Sequence, residues 1–188
     1  LPADVTPAQA YALCKRGDWL VWLVSRTGVD RRAFLRAACA CARLSSGLWE
    51  AVYPNDPRPQ RAFEVAELWA GGVGAAASTD PDAVTALAAV AAADSDAANA
   101  AADAARELGT YGAAAFADAA RAAAAYVISD DAVLAGAAMA RLSSAVQHII
   151  TVGVNFEDEH PELAHAADLV RAHIPWPDVA AALGLDPA

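Results

Sequence analysis

This chain of 188 residues is long enough for one folded domain with a buried core, and 57% of its residues are hydrophobic, many of them alanine. Its formal net charge of −10 is unevenly placed: residues 1–70 hold nine Lys and Arg against seven Asp and Glu, whereas residues 71–188 hold four against sixteen. Such an acidic half argues against direct binding of nucleic acid, which requires a basic footprint.

The cysteines and the apolar runs indicate where the protein works. Cys14, Cys39 and Cys41 are too few and too irregularly spaced for a disulfide framework, so we expect reduced thiols in a cytoplasmic protein. The first residues lack the basic start and apolar run of a signal peptide, and the longest uncharged run, residues 142–156, is short for a membrane span. The sequence thus predicts a single domain over residues 1–188 with no membrane partner.

Cap signals place the first helices. Thr6 is followed by proline, which is typical of a cap residue and the first helical position. Asp18 begins a second helix whose residues 19–24 are apolar nearly all round, so we expect this helix to be deeply buried. Asp30 caps a third helix, which we predict over residues 31–52.

The third predicted helix carries four arginines, and the sequence allows three interpretations of their role. A solvated helix face is the simplest interpretation. Alternatively, the arginines tie this helix to the acidic half of the chain, or they join Arg58 in binding a small anionic ligand such as a nucleotide. The four are Arg31, Arg32, Arg36 and Arg43.

Residues 54–71 form the least generic stretch, a proline corner that leads into a helix. Its prolines hold the backbone extended, Asn55 and Asp56 supply turn or cap oxygens, and a Gly-Gly pair ends the helix. We expect an arginine of this stretch to pair with a nearby carboxylate, and the neighbouring aromatic rings to be buried. The residues concerned are Arg58, Arg61, Asp56, Glu64 and Glu67 for the ion pairs, and Trp49, Phe63 and Trp69 for the rings.

The same stretch carries a resemblance to a known family. Its order of Pro-Asn-Asp, Arg-Pro, Arg, Ala, Glu and Trp-Ala-Gly resembles that of a family of immunity proteins assigned to bacterial polymorphic-toxin systems and also found in mobile elements. Two further stretches agree with the resemblance, GDWLVWL at residues 17–23 and ADLVRAHIPWP at residues 167–177. The resemblance implies an all-helical domain that binds a toxin and blocks it.

The acidic half begins after a run of small residues at 72–79, which predicts a flexible surface loop. Alanine-rich segments then predict further helices, because alanine is the best helix former. We place them over residues 81–93, 95–108, 111–128, 130–152 and 161–173, with a last turn at 178–183. No stretch alternates with period two, so the sequence predicts an all-α fold, a single irregular bundle of about eight to ten helices.

No assembled nucleophile, base or metal motif is visible in the sequence. We therefore predict a protein that is not an enzyme and that has no cofactor or metal. Glu162, His165 and Asp168 share one helix face, but the second Glu-x-x-His pair that a carboxylate-bridged metal site requires is missing.

The sequence supports three functional hypotheses. The first is an immunity-like protein that neutralises a toxin or effector by stoichiometric binding, and we expect this protein partner to be basic. Large side chains beside predicted helix breaks would anchor that partner, namely Tyr111, Phe156 and Trp176. The second is a phage- or mobile-element-encoded accessory protein that holds a small anionic ligand. The third and weakest is an acidic mimic of nucleic acid. The oligomeric state is left open.

Overall fold

Alanine-rich segments fold as helices throughout the described part of the chain. The computed structural model describes residues 5–72, 81–128, 132–151 and 160–186, and these form ten helices and no β-strand, which confirms the predicted all-α bundle. The predicted loop beyond Gly72 lies outside the described residues, as does Phe156. The helices are α1 (Pro7–Leu13), α2 (Gly17–Thr27), α3 (Arg31–Arg43), α4 (Ser46–Glu50), α5 (Arg58–Gly71), α6 (Pro81–Glu107), α7 (Tyr111–Val127), α8 (Ala132–Thr151), α9 (Pro161–His173) and α10 (Trp176–Leu183).

Local side-chain signals start and end several of these helices where the sequence predicts. Thr6 and Gln9 form a reciprocal capping box at the start of α1, and the Asp30 side chain accepts a hydrogen bond from the Ala33 N–H at the start of α3. α5 ends at Gly72, whose φ of 63° is left-handed and suits a residue without a Cβ atom.

Two predicted boundaries are wrong. α6 runs unbroken through the expected break at residues 94–95, because the buried Ser95 hydroxyl donates across to the carbonyl oxygen of Arg121 on α7 at 3.2 Å. The helix predicted over residues 31–52 is two helices, α3 and α4, separated by a turn at residues 44–45. Serine favours such a turn because its side chain competes for backbone hydrogen bonds.

α7 is the centre of the bundle. It packs against α3, α4, α5, α6 and α8, and twelve of its 17 residues are buried. Most of these are alanines, which bring helix backbones close together while burying little area each. Larger rings fill the remaining space: Phe116 of α7 meets Phe63 of α5 with ring centroids 5.2 Å apart, and Tyr126 meets Phe34 of α3 at 6.1 Å.

A second group of contacts joins the two ends of the chain. α2 packs against α8 and α9, α3 also contacts α9, and α10 contacts both α1 and α2. Gly17, the first residue of α2, is buried where α2 meets Leu163, Ala166 and Ala167 of α9. None of the helices in the described residues combines the length and apolar composition that crossing a membrane would require.

The close approach at Gly17 generates a stability prediction. A Cβ atom on this residue would lie 2.4 Å from the Ala166 Cβ and 2.8 Å from the backbone nitrogen of Ala167, so α2 and α9 would have to separate. We expect Gly17→Ala to destabilise the protein by roughly 1–3 kcal/mol, measured by urea unfolding followed by circular dichroism.

Gly136→Ala on α8 is the matched control. A Cβ atom there meets nothing within 4 Å, and glycine inside a helix is less favourable than alanine, so we expect a gain of about 0.5–1 kcal/mol. If Gly17→Ala were as stable as the unmodified protein, the tight contact between α2 and α9 would be disproved.

Candidate functional site

An apolar groove of about 900 Å³ lies between α1, α2 and α10. Its walls come from both ends of the chain, which the packing of α10 against α1 and α2 brings together. We call it the tryptophan groove and define it by Leu13, Trp19, Trp22, Trp176, Leu183 and Leu185.

The two tryptophans of α2 lie on the outside of the protein: Trp19 is 59% exposed and Trp22 is 49% exposed. The expectation that α2 is deeply buried is therefore wrong for this face. Leu20, Val21 and Val24 are buried on the other face, where α2 packs against α8 and α9. Because residues three apart in a helix share a face, the two tryptophans point outward together.

An arginine lies over each of these rings. The guanidinium carbon of Arg16 is 4.7 Å from the ring centroid of Trp19, and that of Arg26 is 5.6 Å from the ring centroid of Trp22. Cation–π contacts at exposed sites contribute about 0.5–1 kcal/mol each. Arg16 also forms an ion pair with Asp18, with 2.6 Å between its Nη2 and the carboxylate Oδ2. The exposed wall of the tryptophan groove is thus held in place by its own polar neighbours.

A buried aromatic pair supports the tryptophan groove from within. The Tyr11 hydroxyl donates to the carbonyl oxygen of Ile174 at 2.7 Å, and the Tyr11 ring centroid is 5.8 Å from that of Trp176. Burial raises the pKa of Tyr11 to about 12, so this hydroxyl keeps its proton at neutral pH. Arg171 of α9 donates to the backbone carbonyls of Tyr11 and Cys14 at 3.2 and 2.7 Å, which fixes the position of α1.

Two of the four α3 arginines enclose a tryptophan of the proline corner. The guanidinium carbons of Arg31 and Arg32 lie 5.5 and 5.3 Å from the ring centroid of Trp69. Arg31 is also 4.8 Å from the Tyr126 ring centroid and donates to the carbonyl oxygen of Tyr126 at 3.1 Å. These arginines therefore join α3 to α5 and α7.

The other two arginines of α3 bind α5 directly. Arg36 donates to the carbonyl oxygen of Ala70 at 2.6 Å, near the C-terminal end of α5, where a positive charge is favourable. Arg43 forms a bidentate ion pair with Glu67, with distances of 2.5 and 2.9 Å between the guanidinium nitrogens and the carboxylate oxygens. This ion pair stays within residues 1–70 and does not reach the acidic half.

The proline corner contains the expected ion pair. The Asp56 carboxylate accepts hydrogen bonds from both the side chain and the backbone N–H of Arg58, and Arg58 lowers the pKa of Asp56. Trp49 donates from its Nε1 to the Asp56 carbonyl oxygen at 2.8 Å. Trp49 and Phe63 are buried as predicted, whereas Trp69 is only partly buried. Three other residues of the stretch are exposed: Asn55, Arg61 and Glu64.

The three side chains predicted to anchor a partner have different surroundings. Trp176 is half-buried and lines the tryptophan groove. Tyr111 is 71% exposed at the start of α7, and Phe156 lies outside the described residues. Within the described residues, no three His, Cys, Asp or Glu side chains come together as a metal ion would require. Asp168 pairs with Arg171 at 2.6 Å instead.

Comparisons of this chain with protein-family models, with curated proteins and with solved structures find no match. The family resemblance given above therefore rests on its three sequence stretches alone.

A signal for the tryptophan groove was present in the sequence. Arg16, Trp19, Trp22 and Arg26 follow one another at spacings of three, three and four, so they form a single stripe along α2. Arginine is seldom fully buried without a partner, so a stripe that begins and ends with arginine indicates an outward face. The apolar composition of residues 19–24 alone does not contain this signal.

The enclosure of Trp69 generates a second stability prediction. Trp69→Ala removes a partly buried ring that contacts two arginines and the edge of Tyr126. We therefore expect the free energy of unfolding, measured in urea, to fall by about 2–4 kcal/mol. Trp22→Ala is the matched tryptophan control, for which we expect a loss below about 1 kcal/mol because the ring is half-exposed. Equal losses for the two variants would contradict this division.

The cysteines provide a test of the packing of α3. Burial raises the pKa of the Cys39 thiol, and it raises that of Cys41 to about 12, so both remain protonated and unreactive at pH 8. Cys14 is only partly buried and lines the groove. We expect iodoacetamide to modify Cys14 alone in the folded protein, and all three thiols in denaturant, as read by mass spectrometry. Modification of Cys39 or Cys41 in the folded protein would contradict the described packing of α3.

Proposed function

We propose that this chain is an immunity-type binding protein, which neutralises a toxin or effector protein by covering it in a one-to-one complex without turnover. The observation that carries the proposal is the pair of exposed tryptophans, Trp19 and Trp22, on the tryptophan groove. Large aromatic side chains on a surface are the residues that most often dominate the energy of protein–protein contacts.

The tryptophan groove has the form of a contact surface. Besides the tryptophans, its lining includes three exposed leucines, and folded proteins rarely leave a continuous apolar patch of this kind without use. Its volume of about 900 Å³ and its apolar lining along α2 suit an apolar helix or loop inserted by a partner. The leucines are Leu13, Leu183 and Leu185.

The family resemblance supports the same surface. Two of its three stretches border the tryptophan groove: residues 17–23 contain Trp19 and Trp22, and residues 167–177 contain Trp176. The third stretch, residues 54–71, supplies α5 and its ion pairs, which are part of the framework.

Charge indicates the kind of partner. A protein with a net charge of −10 attracts a basic partner at long range and steers its approach, while apolar contacts in the groove supply the affinity. We therefore expect a basic toxin or effector domain, whose association rate falls as salt screens the charges.

Two leucines of nearly equal exposure allow a matched test. Leu13, 68% exposed, lies in the tryptophan groove, whereas Leu108, 70% exposed, follows α6 outside it. With the product of the neighbouring gene as the partner, we expect Leu13→Ala to weaken binding by about tenfold and Trp19→Ala or Trp22→Ala by about thirtyfold or more. Leu108→Ala should bind like the unmodified protein. Calorimetry gives the affinities, and growth rescue against that gene product gives the neutralising activity.

Each alternative occupant gives a different result. Equal binding by the groove variants and by Leu108→Ala would place the contact surface elsewhere. If the groove instead covers a second copy of this chain, light scattering will show a dimer that Trp19→Ala separates, and the protein-partner proposal fails. Tyr111→Ala provides a further comparison of binding affinity. This exposed aromatic residue lies at the start of α7 and does not line the groove.

A further inference from the structure

The arginines of the acidic half are not spread evenly. Residues 71–188 contain only four Lys or Arg, all arginine, against sixteen Asp and Glu. Three of the four, Arg106, Arg121 and Arg141, line one cleft between α6, α7 and α8. Most of the positively charged side chains of residues 71–188 therefore lie in this one cleft.

This arginine cleft, defined by Arg106, Asp118, Arg121, Arg141, Ser144 and His148, has a volume of about 540 Å³. On α8, positions 141, 144 and 148 are spaced by three and four residues, so Arg141, Ser144 and His148 lie on one helix face, and all three are exposed. Alanines of α7 and α8 form the rest of the lining, and their small side chains leave the space between the charged groups open.

The guanidinium groups of the arginine cleft keep hydrogen-bonding capacity. The Asp118 carboxylate accepts a hydrogen bond from Arg106, which also pairs with Asp103. Asp118 lies 3.7 Å from the Nε of Arg121, too far for a hydrogen bond, and that buried Nε–H has no hydrogen-bond partner among the described residues. Arg141 forms no ion pair with any of the described residues. Three guanidinium groups thus face two carboxylates, that of Asp118 in the lining and that of Asp103 beside Arg106.

We propose that the arginine cleft binds the phosphate group of a small phosphorylated molecule. Guanidinium forks match the oxygens of a phosphate in pairs, and the Ser144 hydroxyl adds a donor. A phosphate group carries up to two negative charges and three acceptor oxygens, which use the donors of several arginines better than a carboxylate does. A volume of about 540 Å³ accommodates a phosphate with an attached small molecule.

The surrounding charge selects a small ligand. Residues 71–188 carry sixteen acidic side chains, which repel the extended row of phosphates in a nucleic acid, whereas a single phosphate group contacts only the basic cleft. The proposal concerns different residues from the tryptophan groove and does not depend on the proposed protein partner. It also differs from an anion site on the α3 arginines, which contact α5 and α7.

Calorimetric titration of the full chain with inorganic phosphate and with adenosine monophosphate, in a buffer free of phosphate and sulfate, tests the proposal. We expect saturable one-to-one binding, and a loss of affinity of about tenfold or more in Arg141→Gln. Arg141 is exposed and unpaired among the described residues, so this variant should unfold at the same temperature as the unmodified protein. Arg61→Gln, an exposed arginine on α5, is the matched control and should bind phosphate unchanged.

Three results would overturn the proposal. They are the absence of saturable binding of either probe up to about 10 mM, equal weakening by Arg141→Gln and Arg61→Gln, and tighter binding of succinate than of phosphate. Binding of adenosine monophosphate but not of inorganic phosphate would support the proposal and show that contacts beyond the phosphate group are needed. Failure of these titrations would leave the protein-partner proposal intact, since that proposal is tested on the tryptophan groove.

Discussion

The enclosure of α7 by five other helices is the constraint on which the rest of the structure depends. A helix surrounded in this way leaves little room for large side chains, and its sequence is accordingly mostly alanine, with aromatic residues at a few positions. Each alanine buries little area, so cohesion comes from many close backbone approaches supplemented by rings such as Phe63, Phe116 and Tyr126. The same reliance on small residues recurs where Gly17 of α2 meets α9.

Two groups of arginines, those of α3 and those of the arginine cleft, have different physical roles. Those of α3 face inward, where Arg31 and Arg32 enclose Trp69 and Arg43 pairs with Glu67, so they supply cohesion that alanine cannot. Three of the four arginines of the acidic half line an open cleft, where Arg141 retains its full donor capacity towards the described residues. A guanidinium group that is already paired contributes to the framework, whereas one left facing a cleft is available to an anion.

The tryptophan groove shows how an alanine bundle acquires a distinctive surface. Large apolar side chains are scarce in this chain, yet Trp19 and Trp22 lie on the surface, each with an arginine over its ring. The buried face of α2 is formed instead by Leu20, Val21 and Val24. Burying the tryptophans would require another element on their face of α2. Their position is therefore consistent with a surface kept for contact, which is the basis of the proposed function.

The sequence by itself determined what depends on neighbouring residues. Helix starts at Thr6 and Asp30, the end of α5 at Gly72, the Asp56–Arg58 pair and the all-α class all follow from contacts within a few residues. Only the tertiary structure decided which face of α2 is buried, that α6 continues past Ser95, and that Arg106, Arg121 and Arg141 line one cleft. These outcomes depend on helices that are far apart in sequence, and an alanine-rich pattern does not specify which of its nearly equivalent faces will pack.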